Sequence, residues 1–171
     1  MNDLSTELAL ALRLADHADA ETLPRFEAAD FTLDEKDDRS EVTEVDRSTE
    51  ALLGELVTSA RPEHGFLGEE HGLIGAGDSP WRWIVDPIDG TSGFVRGIPV
   101  WATLIALTHA EEGVQVGVVS APALGRRWWA ARGDGAYANG QRCSVSAVGS
   151  IESSQLCVTF SAGWDELGLT P

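Results

Sequence analysis

The stretch IPVWATLIALTHAEEGVQVGVVSAPALGRRWWAA, residues 98–131, decides the fold class of this chain. It holds three apolar segments rich in β-branched and aromatic residues, and short turns such as AEEG at 110–113 separate them. This pattern predicts three strands. Because the connections are too short for the crossovers that parallel strands require, we expect an antiparallel meander.

Upstream of the meander, apolar residues recur at helical spacing. The spacing predicts one helix over residues 4–23, which Pro24 should end or kink, and a second helix over residues 44–60. The charged residues 30–42 between them are typical of a loop or a short hairpin. Helices that precede a run of strands indicate an α+β domain, in which the helices pack as a layer on a largely antiparallel sheet.

Two short apolar runs that end in acidic residues lie between the second helix and the meander. GFLGEE at 65–70 and RWIVD at 82–86 are predicted to be buried strands with functional groups at their C-terminal ends. If the two strands are neighbours, Glu69 lies beside Asp86 and Asp89. A third carboxylate could complete a metal site and polarise a metal-bound water, and the alternative is a solvated Glu-Glu pair.

The hexapeptide DPIDGT, residues 86–91, could be a tight turn or a metal site. Pro87 disfavours a helical conformation at Asp86, and Gly90 permits a tight turn. Asp86 and Asp89 can then point to the same side of a strand end, where two carboxylates repel each other unless a cation lies between them. Mg²⁺ prefers carboxylates, carbonyls and water. The alternative is a plain turn in which Asp89 caps a helix.

The residues that follow Asp89 offer a place for phosphate. Residues 91–96 could form a short helix, whose first N–H groups, from about Gly90 and Thr91, could hold a phosphate. Arg96 at the end of this helix could touch substrate or act as a charge partner of the helix C-terminus.

Thr43-x-x-Asp46 has the spacing of a capping box for the second helix. That structural role does not exclude a catalytic one. A buried Asp46 could orient the hydroxyl of Thr91, and this hydroxyl could position an attacking water.

The bulk composition narrows the partners and the compartment. The chain has 171 residues, of which 43% are hydrophobic, and a formal charge of −16. This charge repels nucleic acid and disfavours an anionic membrane surface, so we expect neither as a partner. No apolar run approaches the ~20 residues of a membrane helix. The two cysteines, Cys143 and Cys157, and an N-terminus without signal-peptide features favour the cytoplasm.

Three motifs, in this order, resemble those of the inositol monophosphatase family of Mg²⁺-dependent phosphomonoesterases. They are K-x-D-x-S-x-V-T-x-x-D at 36–46, GEE at 68–70 and DPIDGT at 86–91. The later GDGAYANG at 133–140 resembles a hairpin of the family. The resemblance implies the family's layered α/β sandwich.

The resemblance also implies roles for the matching residues. The expected ligands for roughly two or three Mg²⁺ ions are Glu69, Asp86 and Asp89 by side chain and Ile88 by its carbonyl. The expected phosphate-binding residues are Asp89, Gly90 and Thr91. The expected catalytic residues are Glu69, Thr91 and Asp46. Lys36, which lies in a segment that is mobile in the family, and Arg96 are further candidates.

Within the family, FVRGIPVWATLIAL at 94–107 and APALGRRWWAARGDGAY at 121–137 look most like the bacterial histidinol-phosphate phosphatase branch. The implied reaction converts L-histidinol phosphate to L-histidinol and phosphate in histidine biosynthesis. Inositol 1-phosphate and fructose 1,6-bisphosphate are the alternative substrates. The resemblance further implies a homodimer that acts on a small phosphorylated metabolite.

The chain departs from the family pattern near its C-terminus. The family has a W-D-x-A-A/P-G motif whose aspartate is another metal ligand, whereas Gly163-Trp164-Asp165 has only a superficial likeness to it. We therefore expect residues 1–150 to form a metal- and phosphate-binding domain, and residues 151–171 to begin a C-terminal domain whose layer is missing or truncated. A half-length, non-catalytic metal-binding or interaction module is the alternative to an enzyme.

Overall fold

Two long helices precede the sheet in the computed structural model, which describes residues 4–36 and 40–155. The helices are α1 Ser5–Ala28, α2 Glu44–Ala60 and α3 Thr91–Val95. The strands are β1 Leu33–Glu35, β2 Glu41–Thr43, β3 Gly65–Gly68, β4 Gly72–Gly75, β5 Trp81–Asp89, β6 Ala102–His109, β7 Gly113–Ala121, β8 Arg126–Ala131, β9 Gly135–Ala138 and β10 Gln141–Arg142. The helix predicted over residues 44–60 is confirmed, as is the hairpin within residues 30–42, which β1 and β2 form.

Within residues 4–36 and 40–155, eight strands form one sheet in the order β10-β9-β8-β7-β6-β5-β3-β4. Strands β6, β7 and β8 are antiparallel, which confirms the predicted meander. Strands β3 and β5 pair in parallel, so the runs GFLGEE and RWIVD are neighbours as the site hypothesis requires. Strand β4, which pairs antiparallel with β3, was not predicted.

Helices α1 and α2 cover one face of this sheet. Their apolar sides and the alternate residues of the central strands form one core, which includes Leu14, Leu53, Val57, Phe66, Trp83, Ile105, Leu107 and Val116. Burial of each large apolar side chain contributes about 1.5–3 kcal/mol, so this contact fixes the helix layer on the sheet. None of the described helices is long and apolar enough to span a bilayer.

Helix α1 passes through Pro24, so of the two predicted alternatives, that this proline ends the helix or kinks it, the first is wrong. The helix ends at Ala28, and Ala29 adopts a left-handed conformation with φ of 50°. Proline removes one N–H donor from the helix, which packing can offset. Phe26, two residues after the proline, supplies such packing. The centroid of its ring lies 5.4 Å from that of Phe94 and 5.5 Å from that of Trp101.

The opposite face of the sheet, here called the outer face, is apolar. Its side chains include Ile84, Val119 and Trp128, which are 40%, 37% and 40% exposed. A groove of about 580 Å³ follows this face and reaches Glu69 and Asp86 at one end. Cys157 and the stretch Gly163-Trp164-Asp165 lie outside the described residues.

Candidate metal and phosphate site

Strand β5 carries both aspartates on one side because a β-bulge interrupts its pairing with β6. Asp86 pairs with Leu104 and Asp89 pairs with Ala102, so three steps along β5 oppose two steps along β6. In a regular strand, residues three apart point to opposite faces. The extra residue in the bulge returns Asp89 to the side of Asp86.

Two hydrogen bonds hold this bulge in shape. Asp86 Oδ1 accepts a hydrogen bond from the N–H of Ile88 at 3.0 Å. The hydroxyl of the buried Thr103 on β6 donates to the carbonyl of Pro87 at 2.8 Å. The backbone between the two aspartates is therefore fixed from both sides, although it leaves the regular ladder.

Glu69 lies next to Asp86 because β3 and β5 run parallel and end side by side. Gly68 pairs with Val85, so the residue that follows each of them reaches the same edge of the sheet. Burial raises the pKa of Asp86 to about 7, and the negative charges of Glu69 and Asp89 and a hydrogen bond with Glu69 act in the same direction. Burial and repulsion between closely placed carboxylates both favour the neutral, protonated form of Asp86, so both raise its pKa.

Lys36 brings positive charge to this cluster. Its Nζ lies 3.0 Å from the Glu69 carboxylate and 2.7 Å from that of Glu70. Burial acts to lower the pKa of Lys36, but its hydrogen bonds with Glu70 and Glu69 outweigh burial and raise the pKa above its usual range. The carboxylates of Glu69 and Glu70 thus form ion pairs with the ammonium group of Lys36.

The hydroxyl of Thr91 lies between Asp46 and the end of β5. Its oxygen lies 3.2 Å from Asp46 Oδ1 and 3.0 Å from the Ile88 carbonyl, so the hydroxyl can donate its single proton to either acceptor. The other carboxylate oxygen of Asp46 accepts from the N–H of Thr43 at 2.8 Å and from its hydroxyl at 2.5 Å, which completes the capping box of α2. Burial raises the pKa of Asp46, against the effect of the hydrogen bonds from Thr43 and Thr91.

Gly90 makes the sharp turn from β5 into α3. Its φ is 89°, and its carbonyl accepts hydrogen bonds from the N–H groups of Gly93 and Phe94. A side chain at Gly90 would also meet the carbonyl of Val100 at 3.2 Å. The first N–H groups of a helix have no acceptor within that helix, so those at the start of α3 are available to an anion.

A cleft of about 500 Å³ joins these groups. Its lining includes Glu69, Gly90, Thr91, Ser92 and Arg96. Arg96 is an exposed residue of this lining whose guanidinium forms an ion pair with Glu41 of β2 at 2.6 Å. The guanidinium also donates to the Ser92 hydroxyl at 2.8 Å. Arg96 therefore links α3 to the β1–β2 hairpin across the cleft.

The donor chemistry of the site fits Mg²⁺. Within residues 4–36 and 40–155, no three His, Cys, Asp or Glu side chains already surround one metal position. The carboxyl group of Asp86 nevertheless interacts with those of Glu69 and Asp89, and the carbonyl of Ile88, which lies between the two aspartates in sequence, accepts a hydrogen bond from the Thr91 hydroxyl. Hard oxygen donors of this kind suit Mg²⁺, and a cation would relieve the repulsion among the carboxylates.

Sequence reasoning did not identify Glu50, which is fully buried and contacts the turn that carries Glu69. A signal was present, since Glu50 follows Asp46 by one helical turn and lies on the same side of α2 as Leu53 and Val57. An acidic residue at a core position requires a polar partner. The sequence alone does not reveal which partner it has.

The described fold places the chain among layered α/β sandwich proteins. It superimposes on the crystal structure of the extragenic suppressor protein SuhB from Bartonella henselae with a TM-score of 0.78 and 34% identity, over 84% of this chain and 56% of that one. The sequence matches the inositol monophosphatase family over residues 3–167. The chain belongs to the inositol monophosphatase family, and the resemblance stated from its motifs is confirmed.

Two relatives carry the name histidinol-phosphatase. The protein from Mycobacterium tuberculosis is 51% identical over 95% of this chain. The protein from Streptomyces coelicolor is 46% identical over 98% of this chain. The chain spans 64% and 65% of the length of these two relatives, so it corresponds to less than two thirds of either.

Proposed function

We propose that the protein hydrolyses a small phosphate monoester with the help of Mg²⁺, and that its substrate is L-histidinol phosphate. The products would be L-histidinol and phosphate, in histidine biosynthesis. The observation that carries the phosphatase proposal is the Thr91 hydroxyl, which lies between Asp46 and the Ile88 carbonyl and shares a cleft with Glu69. The names of the two relatives support the substrate.

Four groups at the ends of β3 and β5 would hold the magnesium ions, roughly two or three in number. They are the side chains of Glu69, Asp86 and Asp89 and the carbonyl of Ile88. Bound Mg²⁺ supplies a water of lowered pKa and neutralises charge on the phosphate. The interacting carboxyl groups and the raised pKa of Asp86 support this assignment.

Thr91 and Asp46 would position the attacking water. Asp46 is fixed by Thr43, so its Oδ1 stays aimed at the Thr91 hydroxyl at 3.2 Å. When the Thr91 proton points to Asp46, a lone pair of the Thr91 oxygen is free to accept a hydrogen bond from water. The water then keeps a lone pair for phosphorus, and Glu69 can accept the proton that the water loses.

The start of α3 would hold the phosphate. Gly90 and Thr91 line the same cleft as Glu69, and the positive end of the short helix favours an anion. A phosphate held there would share the cleft with Glu69 and with the Thr91 hydroxyl, which would hold the attacking water on one side of phosphorus. In-line attack then requires the leaving oxygen on the opposite side of phosphorus.

Phosphate release by the native protein tests this proposal. The substrates are L-histidinol phosphate, inositol 1-phosphate and fructose 1,6-bisphosphate, each with Mg²⁺ and with EDTA. Asp89→Asn removes a proposed metal ligand and should abolish Mg²⁺-dependent turnover. Asp78→Asn, at an exposed position outside the cleft, is the matched control and should retain it.

Each outcome of this assay has a clear reading. A preference for inositol 1-phosphate or fructose 1,6-bisphosphate would replace the proposed substrate but keep the phosphatase. Full turnover by Asp89→Asn would contradict the metal role of Asp89. A native protein that binds Mg²⁺ but releases no phosphate from any substrate would be the non-catalytic module instead.

We also propose a cytoplasmic homodimer in which residues 1–150 form the metal- and phosphate-binding domain. The family resemblance supports the dimer, and the small number of cysteines supports a reducing compartment. The charge of −16 supports the absence of a nucleic-acid partner and of an anionic membrane partner. Size-exclusion chromatography with light scattering measures the oligomeric state directly.

A further inference from the structure

The carboxylate of Glu50 receives three hydrogen bonds from one short turn. Residues 69–71 connect β3 to β4, which pair on either side of them at Gly68 and Gly72. Glu50 Oε2 accepts from the N–H of Glu70 at 2.7 Å, and Oε1 accepts from the N–H of His71 at 2.8 Å. His71 Nδ1 lies 2.8 Å from the same Oε1.

We infer that Glu50 is a positioning residue, which holds this turn so that Glu69 faces Asp86. The inference rests on the proposed function, because the orientation of Glu69 matters only if Glu69 binds metal as proposed. Glu69 is the first residue of the turn, and the two N–H groups that Glu50 binds belong to the next two residues. Rotation of the turn would therefore carry the Glu69 carboxylate away from the end of β5.

A carboxylate suits this position better than any other side chain. All three groups that face Glu50 can donate, and a carboxylate has two oxygens that only accept. Glutamine would place an NH₂ group against a backbone N–H, so at least one donor would lose its partner. Because Glu50 is fully buried, no bulk water can replace the lost acceptor.

Gly68 shows that the carboxylate and the turn are fitted to each other. An ideal Cβ at Gly68 would lie 2.1 Å from both the carboxyl carbon and Oε1 of Glu50. Real atoms do not approach so closely, and Glu50 cannot move without breaking its bonds to the turn. Only glycine lets the strand pass this close to the buried carboxylate.

The turn is also held on its outer side. Glu70 binds Lys36 through its own carboxylate at 2.7 Å while its N–H binds Glu50. The turn is thus held by the buried carboxylate of Glu50 through its backbone and by the ammonium group of Lys36 through the Glu70 side chain. Groups that orient the ligands of a metal typically change metal affinity by about 10–100-fold when they are substituted.

Glu50→Gln tests the inference, with Glu55→Gln as the matched control on the exposed side of the same helix. Metal affinity is measured by titration with Mg²⁺ in a calorimeter and with Mn²⁺ by electron paramagnetic resonance. Hydrogen exchange at the amides of Glu70 and His71 reports on the turn without any metal. Glu50→Gln should lose amide protection at both residues and weaken metal binding by about 10–100-fold, whereas Glu55→Gln should change neither.

Two further variants keep the test decisive if Glu50→Gln folds poorly. His71→Ala removes one of the three donors, and its side chain is half-exposed. Gly68→Ala adds a Cβ that would collide with the Glu50 carboxylate and displace it. Thermal unfolding identifies which variants are folded at the assay temperature. Both should weaken metal binding, His71→Ala less than Gly68→Ala. Folded variants with unchanged metal affinity would overturn the inference.

The readouts separate this inference from the proposed function. If the native protein binds neither Mg²⁺ nor Mn²⁺, the proposed metal site fails, and with it any role of Glu50 in presenting a metal ligand. The amide exchange then still reports whether Glu50 holds the turn. If the native protein binds metal and Glu50→Gln binds it equally well with an unprotected turn, only the positioning role fails.

Discussion

Replacement of Thr91 by valine removes one hydroxyl and leaves the shape of the side chain almost unchanged. The hydroxyl lies 3.2 Å from Asp46 Oδ1 and 3.0 Å from the Ile88 carbonyl. Asp46 keeps both hydrogen bonds from Thr43 on its other oxygen, so only Oδ1 is left without a donor. A buried acceptor without a partner costs about 1–3 kcal/mol, which is the expected loss in the free energy of unfolding.

The same variant should also lose activity. Misplacement of a reacting group by about 1 Å can cost about 10²-fold in rate, and we expect Thr91→Val, which removes the group that positions the water, to lower kcat by about that factor. Thr91→Ser retains the hydroxyl and should keep most of the turnover. The measurements are phosphate release with saturating Mg²⁺ and unfolding in urea.

The comparison between the two variants decides the matter. Thr91→Ser removes the methyl group and keeps the hydroxyl, whereas Thr91→Val replaces the hydroxyl by a methyl group. If folded Thr91→Val and Thr91→Ser have the same kcat, the hydroxyl does not position the water, and the reasoning from Asp46 is refuted.

Three other perturbations should give measurable results. Phe94→Ala deletes a ring that is 1% exposed, so it should lower the free energy of unfolding by about 3–5 kcal/mol in a denaturant titration, and a loss below 1 kcal/mol would contradict the anchoring of α3. Gly90→Ala forces a side chain into a left-handed conformation at a cost of about 1–2 kcal/mol and should weaken inhibition by inorganic phosphate, whereas unchanged inhibition would speak against phosphate at this turn. Mg²⁺ at about 100 times its Kd should raise the free energy of unfolding by about 2.7 kcal/mol relative to EDTA, and equal unfolding temperatures with and without EDTA would argue against a metal site.

Helix α2 and the antiparallel meander could be predicted from short sequence patterns, because contacts between residues close in sequence determine both. Helix α2 begins where Thr43 and Asp46 form a capping box, and both its ends agree with the prediction. The meander follows from segments that alternate with turns too short for crossovers. The neighbouring positions of β3 and β5 could be stated only as a condition, because strand pairing across intervening residues leaves no local signal.

The features that were missed depend on contacts between distant residues. Strand β4 is four residues long and mostly exposed, so it shows no buried alternation. Where α1 continues past Pro24, Phe26 packs against Phe94, which is far away in sequence. The role of Glu50 follows from a turn 20 residues away in sequence. Asp86 and Asp89 were easier to predict as neighbours, because one motif contains both residues and the turn between them, whereas Glu69 joins them only through the pairing of β3 with β5.

The carboxylate of Asp46 both caps helix α2 and contacts the Thr91 hydroxyl in the cleft. A protein engineer who wishes to stabilise α2 would normally exchange Asp46 for glutamate, since capping boxes favour glutamate or glutamine at this position. Here the longer side chain would move the oxygen that meets Thr91 at 3.2 Å. In a phosphatase of the proposed kind, a substitution that stabilises this helix end would therefore lower turnover.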